Sequence, residues 1–134
     1  VGEGLGTIEG KTWTPLDVTW TYAGDDVQFN APRTDGWQLS MVAQVDKDGS
    51  GVKEKMDGGG YPVHVDLGAE GGGFATLYPD EGDSLTSKLG SGGDLQILRI
   101  DADNGLVACF SFEAGGNDGT LATLEDGAVR AMPL

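Results

Sequence analysis

The sequence is poor in cysteine, in histidine and in long apolar runs. Its 134 residues include one cysteine, Cys109, and one histidine, His64. A single cysteine excludes an intrachain disulfide, so the fold must be held together by packing. The apolar run Leu106–Ala114 around Cys109 predicts a buried structural thiol. No stretch approaches the roughly 18 apolar residues of a membrane-spanning helix, which predicts no membrane span.

Positive charge is also scarce. Eight Lys and Arg residues face 22 Asp and Glu residues, and the formal net charge is −14. Such a field repels nucleic acids and anionic membranes, so binding to nucleic acid is excluded. The expected partners are neutral or cationic: glycans, metal ions, basic proteins or further copies of the chain.

A recognisable catalytic arrangement is missing. His64 is predicted on the polar face of a strand beside Asp66, and neither a Gly-x-Ser-x-Gly elbow nor a Cys/His pair accompanies it. Gly10-Lys11-Thr12 lacks the earlier glycine that a phosphate-binding loop requires. Most acids fall in turns, where little desolvation is available to tune them for acid–base work. The sequence therefore predicts that the protein is not an enzyme.

Glycine, in contrast, is abundant, and its 24 residues cluster with Asp, Glu and Asn. These clusters separate short runs in which apolar and polar residues alternate. Because glycine adopts positive φ freely and Asp and Asn bond to their own backbone, such clusters end strands and build hairpins. The spacing predicts an all-β chain: an antiparallel β-sandwich of roughly ten short strands, in one domain covering residues 1–134.

The predicted strands place apolar side chains at every second position. They are Leu5–Glu9, Asp17–Tyr22, Val27–Ala31, Trp37–Val45, Pro62–Leu67, Phe74–Tyr78, Leu95–Asp101 and Leu106–Ala114, followed by a closing hairpin of Leu121–Leu124 and Ala128–Met132 across Glu125-Asp126-Gly127. Within Leu95–Asp101 the alternation fails, which predicts a strand covered on both faces or one at an interface. The only helical candidate is a single turn over Ser84–Leu89.

The stretch from Asp46 to Asp57 resembles a calcium-binding loop. Ca²⁺ takes about six to eight hard oxygen ligands. The predicted ligands are Asp46, Asp48, Ser50, the carbonyl of Val52, Glu54 through water, and Asp57. Lys53 stands where an apolar residue is expected, and the alternative is an Asp- and Gly-rich hairpin turn without a metal. Ca²⁺ is the one cofactor that the sequence predicts. A shorter version of the pattern precedes Asn104-Gly105, where a type I′ hairpin turn is favoured.

Aromatic residues offer a platform on which a sugar could stack. Trp20 and Trp37 fall on the inward faces of predicted strands, which assigns them to the core. Trp13, which precedes Pro15, is predicted to be exposed, and Tyr61 is the second candidate near an acidic loop. With the calcium loop, these residues predict a calcium-dependent carbohydrate-binding module as an alternative function.

Both ends of the chain carry a family resemblance. The segments are Gly6-Thr7-Ile8-Glu9-Gly10-Lys11-Thr12-Trp13 and Leu124-Glu125-Asp126-Gly127-Ala128-Val129. They resemble small exported bacterial lipoprotein domains, which begin with a Gly-Thr-x-Asp-Gly-Lys-x-Trp-like strand and end with a Gly-rich hairpin. The resemblance implies a β-sandwich at the cell surface without catalytic residues. The lipid-bearing cysteine of that class is absent from this sequence.

These observations lead to one principal hypothesis of function. We expect a non-enzymatic structural or interaction protein of the cell surface or extracellular space. The start at Val1 predicts removal of a signal peptide and export. The expected partner is a second copy of the chain or another surface protein, and pairing of strands at the sheet edges would join the copies.

Overall fold

The computed structural model describes residues 1–134, and its regular secondary structure is almost entirely β-strand. In chain order these are β1 (Glu3–Ile8), β2 (Lys11–Trp13), β3 (Thr19–Ala23), β4 (Asp26–Thr34), β5 (Trp37–Ala43), β6 (Val63–Asp66), β7 (Gly73–Pro79), β8 (Leu85–Thr86), β9 (Gly92–Ile100), β10 (Leu106–Gly115) and β11 (Leu121–Pro133). The only helix, α1, spans Val52–Asp57. No helix is long and apolar enough to cross a lipid bilayer. The predicted all-β fold is confirmed.

The strands form one continuous sheet that folds into two layers. Their hydrogen-bonded order is β2-β1-β11-β3-β4-β5-β7-β8-β10-β9-β6, and β11 also pairs with β10. One layer is therefore β2-β1-β11-β10-β9-β6, and the other is β3-β4-β5-β7-β8. The rings of Phe29 on β4 and Phe110 on β10 lie 5.7 Å apart between centroids, although these strands are not hydrogen-bonded neighbours. Their contact places the core between the layers, as in a β-sandwich.

The core follows the alternation of the strands. On β5, Leu39, Met41 and Ala43 are buried and point between the layers, as the sequence predicts. Trp37 begins the same inward row but is only partly buried, because it lies at the end of the strand where the layers open. The end of the sandwich near Trp37 is thus the place where the core meets solvent.

The predicted closing hairpin is wrong, because β11 runs without a break from Leu121 to Pro133. A β-bulge replaces the turn: Gly127 is opposite Phe110 and Leu124 is opposite Phe112, so Glu125 and Asp126 face the single residue Ser111, with Asp126 at a φ of 53°. The Phe110 ring fills the space beside Gly127, and a Cβ built there would lie 2.4 Å from Phe110 Cε2. The same Asp-Gly chemistry that makes turns elsewhere therefore makes room for a core ring here.

A second bulge explains the broken alternation near Leu98. Val107 is opposite Arg99 but Ala108 is opposite Ile97, so Leu98 is the extra residue of β9. Ile97 is fully buried, whereas Leu98 is 38% exposed. A bulge, and not coverage of β9 on both faces, therefore explains the break in the alternation. Cys109, predicted to be buried, is partly exposed on the outer face of β10.

The turns correct two further predictions. Ser84–Leu89 contains the two-residue strand β8 and no helical turn. Asn104 alone has positive φ in the β9–β10 connection, so that turn is not type I′. The two-residue turns Glu9-Gly10 and Asp35-Gly36 do have positive φ at both positions, the type I′ pattern that suits a tight hairpin.

Candidate binding cleft

A cleft of about 260 Å³ opens at the end of the sandwich where Trp37 meets solvent. Its lining comes from the β1–β2 turn, the start of β5, the segment from Pro79 to Leu85, and the connection between β10 and β11. These residues are Glu9, Trp37, Pro79, Glu81, Gly82, Asp83, Leu85, Asp118, Thr120, Leu121 and Ala122. Mouths between strands are a common place for ligand sites in β folds.

The apolar part of the cleft is fixed by strand pairing. Trp37 pairs with Pro79 across β5 and β7, and Leu85 pairs with Leu77 across β8 and β7. Leu85 is 4% exposed and Leu121 is 50% exposed, so the cleft has an apolar base and an apolar rim. An indole ring above such a base offers a flat surface for a ligand to cover.

The polar part of the cleft consists of carboxylates. Glu9, Glu81, Asp83 and Asp118 are all exposed and line the cleft. The Glu9 carboxylate accepts a hydrogen bond from the backbone of Thr123 at 3.4 Å, and Asp118 accepts one from the backbone of Thr120 at 2.9 Å. Two of the four acids are therefore held in place by the backbone of the β10–β11 region.

No cation of the chain neutralises these acids. The cleft is lined by no Lys, Arg or His. The nearby Arg33 pairs instead with Asp80 at 2.9 Å and donates to the Tyr78 carbonyl at 2.9 Å. Hydrogen bonds from Thr120 hold the pKa of Asp118 below its ordinary value, which keeps this carboxylate charged. The cleft thus combines an apolar base with a rim that carries both Leu121 and exposed carboxylates.

Trp13 lies elsewhere and is not exposed, so this prediction is wrong. Its side chain is fully buried in the core, opposite Gly6 across β1 and β2. A Cβ at Gly6 would lie 3.4 Å from the ring atom Cε3, so the indole packs at van der Waals distance from this position of β1. The ring nitrogen of Trp13 has no hydrogen-bond partner. Trp13 therefore cannot serve as a sugar platform on the surface.

Tyr61 is partly buried against the core near a second group of aromatic residues. In that group the Trp20 and Tyr22 rings meet edge to face at 5.2 Å, and the Lys53 ammonium lies 4.8 Å from the Tyr22 ring centre. Burial and the negative charge of Asp57 raise the pKa of Tyr61. The Tyr22 ring is thus in contact with side chains of the chain itself, and Tyr61 does not line the Trp37 cleft.

The calcium-loop residues divide into two groups. Asp46, Asp48 and Ser50 share one turn: Asp46 accepts from the Asp48 backbone and Asp48 from the Ser50 backbone, both at 2.9 Å. The Lys55 ammonium pairs with Asp46 at 3.2 Å and also with Asp48. The hydrogen bond from Lys55 and those from Ser50 hold the pKa of Asp48 below its ordinary value. An ammonium of the chain thus lies where the loop hypothesis places a cation.

The other predicted ligands lie on α1 and not in that turn. Val52 is buried and Glu54 is exposed on the helix. Asp57 accepts hydrogen bonds from Lys53 at 2.8 Å and from the Tyr22 hydroxyl at 3.0 Å. No group of three or more His, Cys, Asp or Glu side chains is placed to hold a metal ion. The structure therefore does not bring the six predicted ligands together.

Sequence reasoning did not identify the Trp37 cleft. Alternation correctly places Trp37 on the inward face, yet it gives no sign that the core opens there. The sequence does show clusters of acidic residues around Glu81 and Asp118. These two clusters are far apart in sequence, and only strand pairing brings them to one cleft. Comparison of the chain with protein-family models, curated proteins and solved structures finds no match in any of the three. The function has to be argued from the cleft.

Proposed function

We propose that this protein is a non-enzymatic interaction protein of the cell surface or extracellular space, and that it binds its partner at the Trp37 cleft. The observation that carries the proposal is Trp37 itself. The other two tryptophans are buried, whereas Trp37 leaves part of its ring open beside apolar side chains and free carboxylates. A cleft in which polar groups surround an aromatic and apolar surface is typical of a ligand site.

The pattern of pKa shifts supports a role without catalysis. General acid–base catalysis works best with groups whose pKa lies near neutral pH. Here the pKa of Tyr22 is raised to about 12, by burial first and by Asp57 second. Lys47, Lys53 and Lys55 are raised through their carboxylate partners, whereas Asp48, Asp57, Asp101 and Asp118 are lowered by hydrogen bonds. Every one of these shifts leads away from neutrality.

A carbohydrate is the second candidate ligand, now assigned to Trp37 instead of Trp13 or Tyr61. Sugar rings stack on exposed indole faces, and carboxylates accept hydrogen bonds from sugar hydroxyls. The cleft volume of about 260 Å³ suits one side chain or one sugar ring. It lies below the roughly 300–1,000 Å³ of pockets that enclose drug-sized ligands.

The test is a binding screen with the labelled full chain on a glycan array and on an array of random-sequence peptides. Three variants accompany the natural protein: Trp37→Ala, Leu121→Ala as a milder change in the cleft, and Tyr78→Ala as a matched control. Tyr78 is 37% exposed on β7 and does not line the cleft. Circular dichroism checks that each variant is folded.

We expect the natural protein and Tyr78→Ala to bind the same array features, Leu121→Ala to bind them more weakly, and Trp37→Ala to lose them. If Trp37→Ala does not fold, the weakening in Leu121→Ala alone carries the result. Binding that is equal in all four proteins, or no binding on either array, overturns the proposal.

A further inference from the structure

We infer that the cleft receives a lysine or arginine side chain from a basic segment of a partner protein. This inference rests on the proposed function, since it names the chemistry of the partner at the same cleft. Four exposed carboxylates surround the opening, and none of them makes an ion pair within the chain. A cleft lined by one sign of charge concentrates the field and attracts the opposite charge.

The chain has almost no cation to spare for this cleft. Seven of its eight Lys and Arg side chains make an ion pair or a hydrogen bond elsewhere, and only Lys11 does not. Only seven of the 22 acids take part in an ion pair. Lys11 follows the Glu9-Gly10 turn but does not line the cleft, so no cation of the chain lies in the cleft beside Glu81, Asp83 and Asp118.

The apolar part of the cleft matches the rest of a lysine or arginine side chain. Both side chains carry a charged head on an apolar stem that packs along hydrophobic surface. Trp37, Leu85 and Leu121 can cover the stem, while Glu81 and Asp83 lie on the rim where the head emerges. A cation over an indole face gains further electrostatic attraction. A neutral sugar would leave all four carboxylates without a counter-charge.

Charge outside the cleft favours a protein partner over a free amine. The net charge of −14 is far larger than the four cleft carboxylates account for, so a basic segment is also attracted by acids beyond the opening. Each further cation on the same segment raises the association rate and the affinity without needing a second cleft. A small amine can use only the cleft itself.

The test measures the fluorescence anisotropy of a labelled peptide in which lysines alternate with Gly-Ser. The neutral form of the same peptide carries norleucine in place of lysine, and n-butylamine serves as the free-amine competitor. Glu81→Gln with Asp83→Asn removes two charges at the cleft. Asp25→Asn with Glu54→Gln removes the same charge at exposed positions that do not line it.

We expect the lysine peptide to bind, the norleucine peptide not to bind, and affinity to fall as salt is raised. The cleft double variant should bind about tenfold more weakly, and the matched double variant should stay within about twofold. Equal weakening in both double variants overturns the inference, because overall charge would then explain the binding. The inference is also overturned if the norleucine peptide binds as tightly as the lysine peptide. The same holds if n-butylamine binds as tightly as the lysine peptide.

The two proposals fail in different ways. If the arrays give Trp37-dependent binding of glycans or neutral peptides while the lysine peptide does not bind, the inference is wrong and the proposed function stands. If no array binding depends on Trp37, and the cleft double variant binds the lysine peptide as tightly as the natural protein does, both are wrong.

Discussion

The carboxylate of Asp46 accepts a hydrogen bond from the backbone N–H of His64 at 2.8 Å. His64 lies in β6, which is one edge of the sheet. The carbonyl of His64 in turn accepts from the Lys47 backbone at 2.8 Å. The chain therefore covers with its own 46–47 segment the groups that an added strand would use, a common protection of exposed edges.

This protection leaves fewer sheet edges at which copies of the chain could pair through their strands. The opposite edge is β2, which has only three residues, and the next backbone N–H, that of Thr14, is bonded to the Asp35 carboxylate at 3.0 Å. If copies of the chain pair through strands, β2 is the edge that remains. Light scattering at high protein concentration tests the idea, and a strictly monomeric protein would contradict it.

Replacing Asp46 by alanine should destabilise the protein and open the β6 edge. Asp46 is 5% exposed and accepts hydrogen bonds from two backbone N–H groups, of Asp48 and His64. Losing these bonds should lower the free energy of unfolding by about 2–4 kcal/mol. Chemical denaturation measures this change, and light scattering should show more association than in the natural protein.

The matched control for this prediction is Asp48→Ala. Asp48 also pairs with Lys55, but its side chain is half exposed and accepts no bond from an edge strand. Asp48→Ala should lower the free energy of unfolding less than Asp46→Ala does, and it should not increase the association of the protein. Equal destabilisation and equal association of the two variants would show that the Asp46–His64 bond does not protect the edge.

Calcium should leave the melting temperature unchanged relative to magnesium at equal ionic strength. The reason is that the Lys55 ammonium already pairs with both Asp46 and Asp48, and Asp57 is bonded to Lys53 and Tyr22. Differential scanning fluorimetry in calcium, magnesium and chelator measures this. A ligand at about a hundred times its dissociation constant adds roughly 2.7 kcal/mol, so a real site would raise the melting temperature visibly. A calcium-specific rise that Asp46→Asn with Asp48→Asn removes would contradict our expectation.

High pH should reveal the contact between Tyr22 and Asp57. Burial and the Asp57 carboxylate raise the pKa of Tyr22 to about 12, so the neutral phenol is favoured in the folded state. Its contribution to stability is complete below the ordinary tyrosine pKa of about 10 and is lost as pH rises through about 12. The phenolate absorbance that Tyr22→Phe removes reports this titration.

Neutralising Asp57 should move that titration to lower pH. In Asp57→Asn the repulsion of the phenolate disappears while burial remains, so the pKa of Tyr22 should fall only part of the way to its ordinary value. Glu54→Gln removes the same charge from the same helix at an exposed position. An equal change in both variants would mean that net charge, and not the Tyr22–Asp57 bond, sets the pKa.

The sequence predicts strands well where alternation is strong and poorly where a partner strand decides the outcome. For β5 and β10 the predicted inward residues Leu39, Met41 and Phe110 are buried as expected. The polar neighbours Thr12 and Thr14 predict an exposed Trp13. It is buried because β2 pairs with β1 and places the indole opposite Gly6, and that register is not visible in the local pattern.

The cleft illustrates the same limit. Inward orientation of Trp37 follows from period-two alternation, but its partial exposure follows from the end of β5 coinciding with the end of the layer. Asp83 and Asp118 fall in Asp- and Gly-rich clusters that predict turns, whereas Glu9 is predicted to end the strand Leu5–Glu9 and lies instead in the β1–β2 turn. Their proximity depends on which strands are neighbours, and contacts between residues so far apart in sequence leave no local pattern.

The bulge in β11 should tolerate no side chain at Gly127. Its φ is not in the left-handed region, so backbone strain is not the reason; the obstacle is the Phe110 ring, 2.4 Å from the position that a Cβ would occupy. Gly127→Ala should force the ring to move and lower the free energy of unfolding by about 1–3 kcal/mol. Gly58→Ala is the control, since a Cβ there would meet its nearest atoms at 3.5 Å or more, and it should change the free energy by less than about 0.5 kcal/mol. Chemical denaturation compares the two.

The packing of the Phe110 ring gives this prediction a second measurement. Because Phe110 lies against Phe29 of the other layer, Gly127→Ala should also reduce the near-ultraviolet circular dichroism. An unchanged spectrum with unchanged stability would mean that the position of the ring does not depend on this glycine.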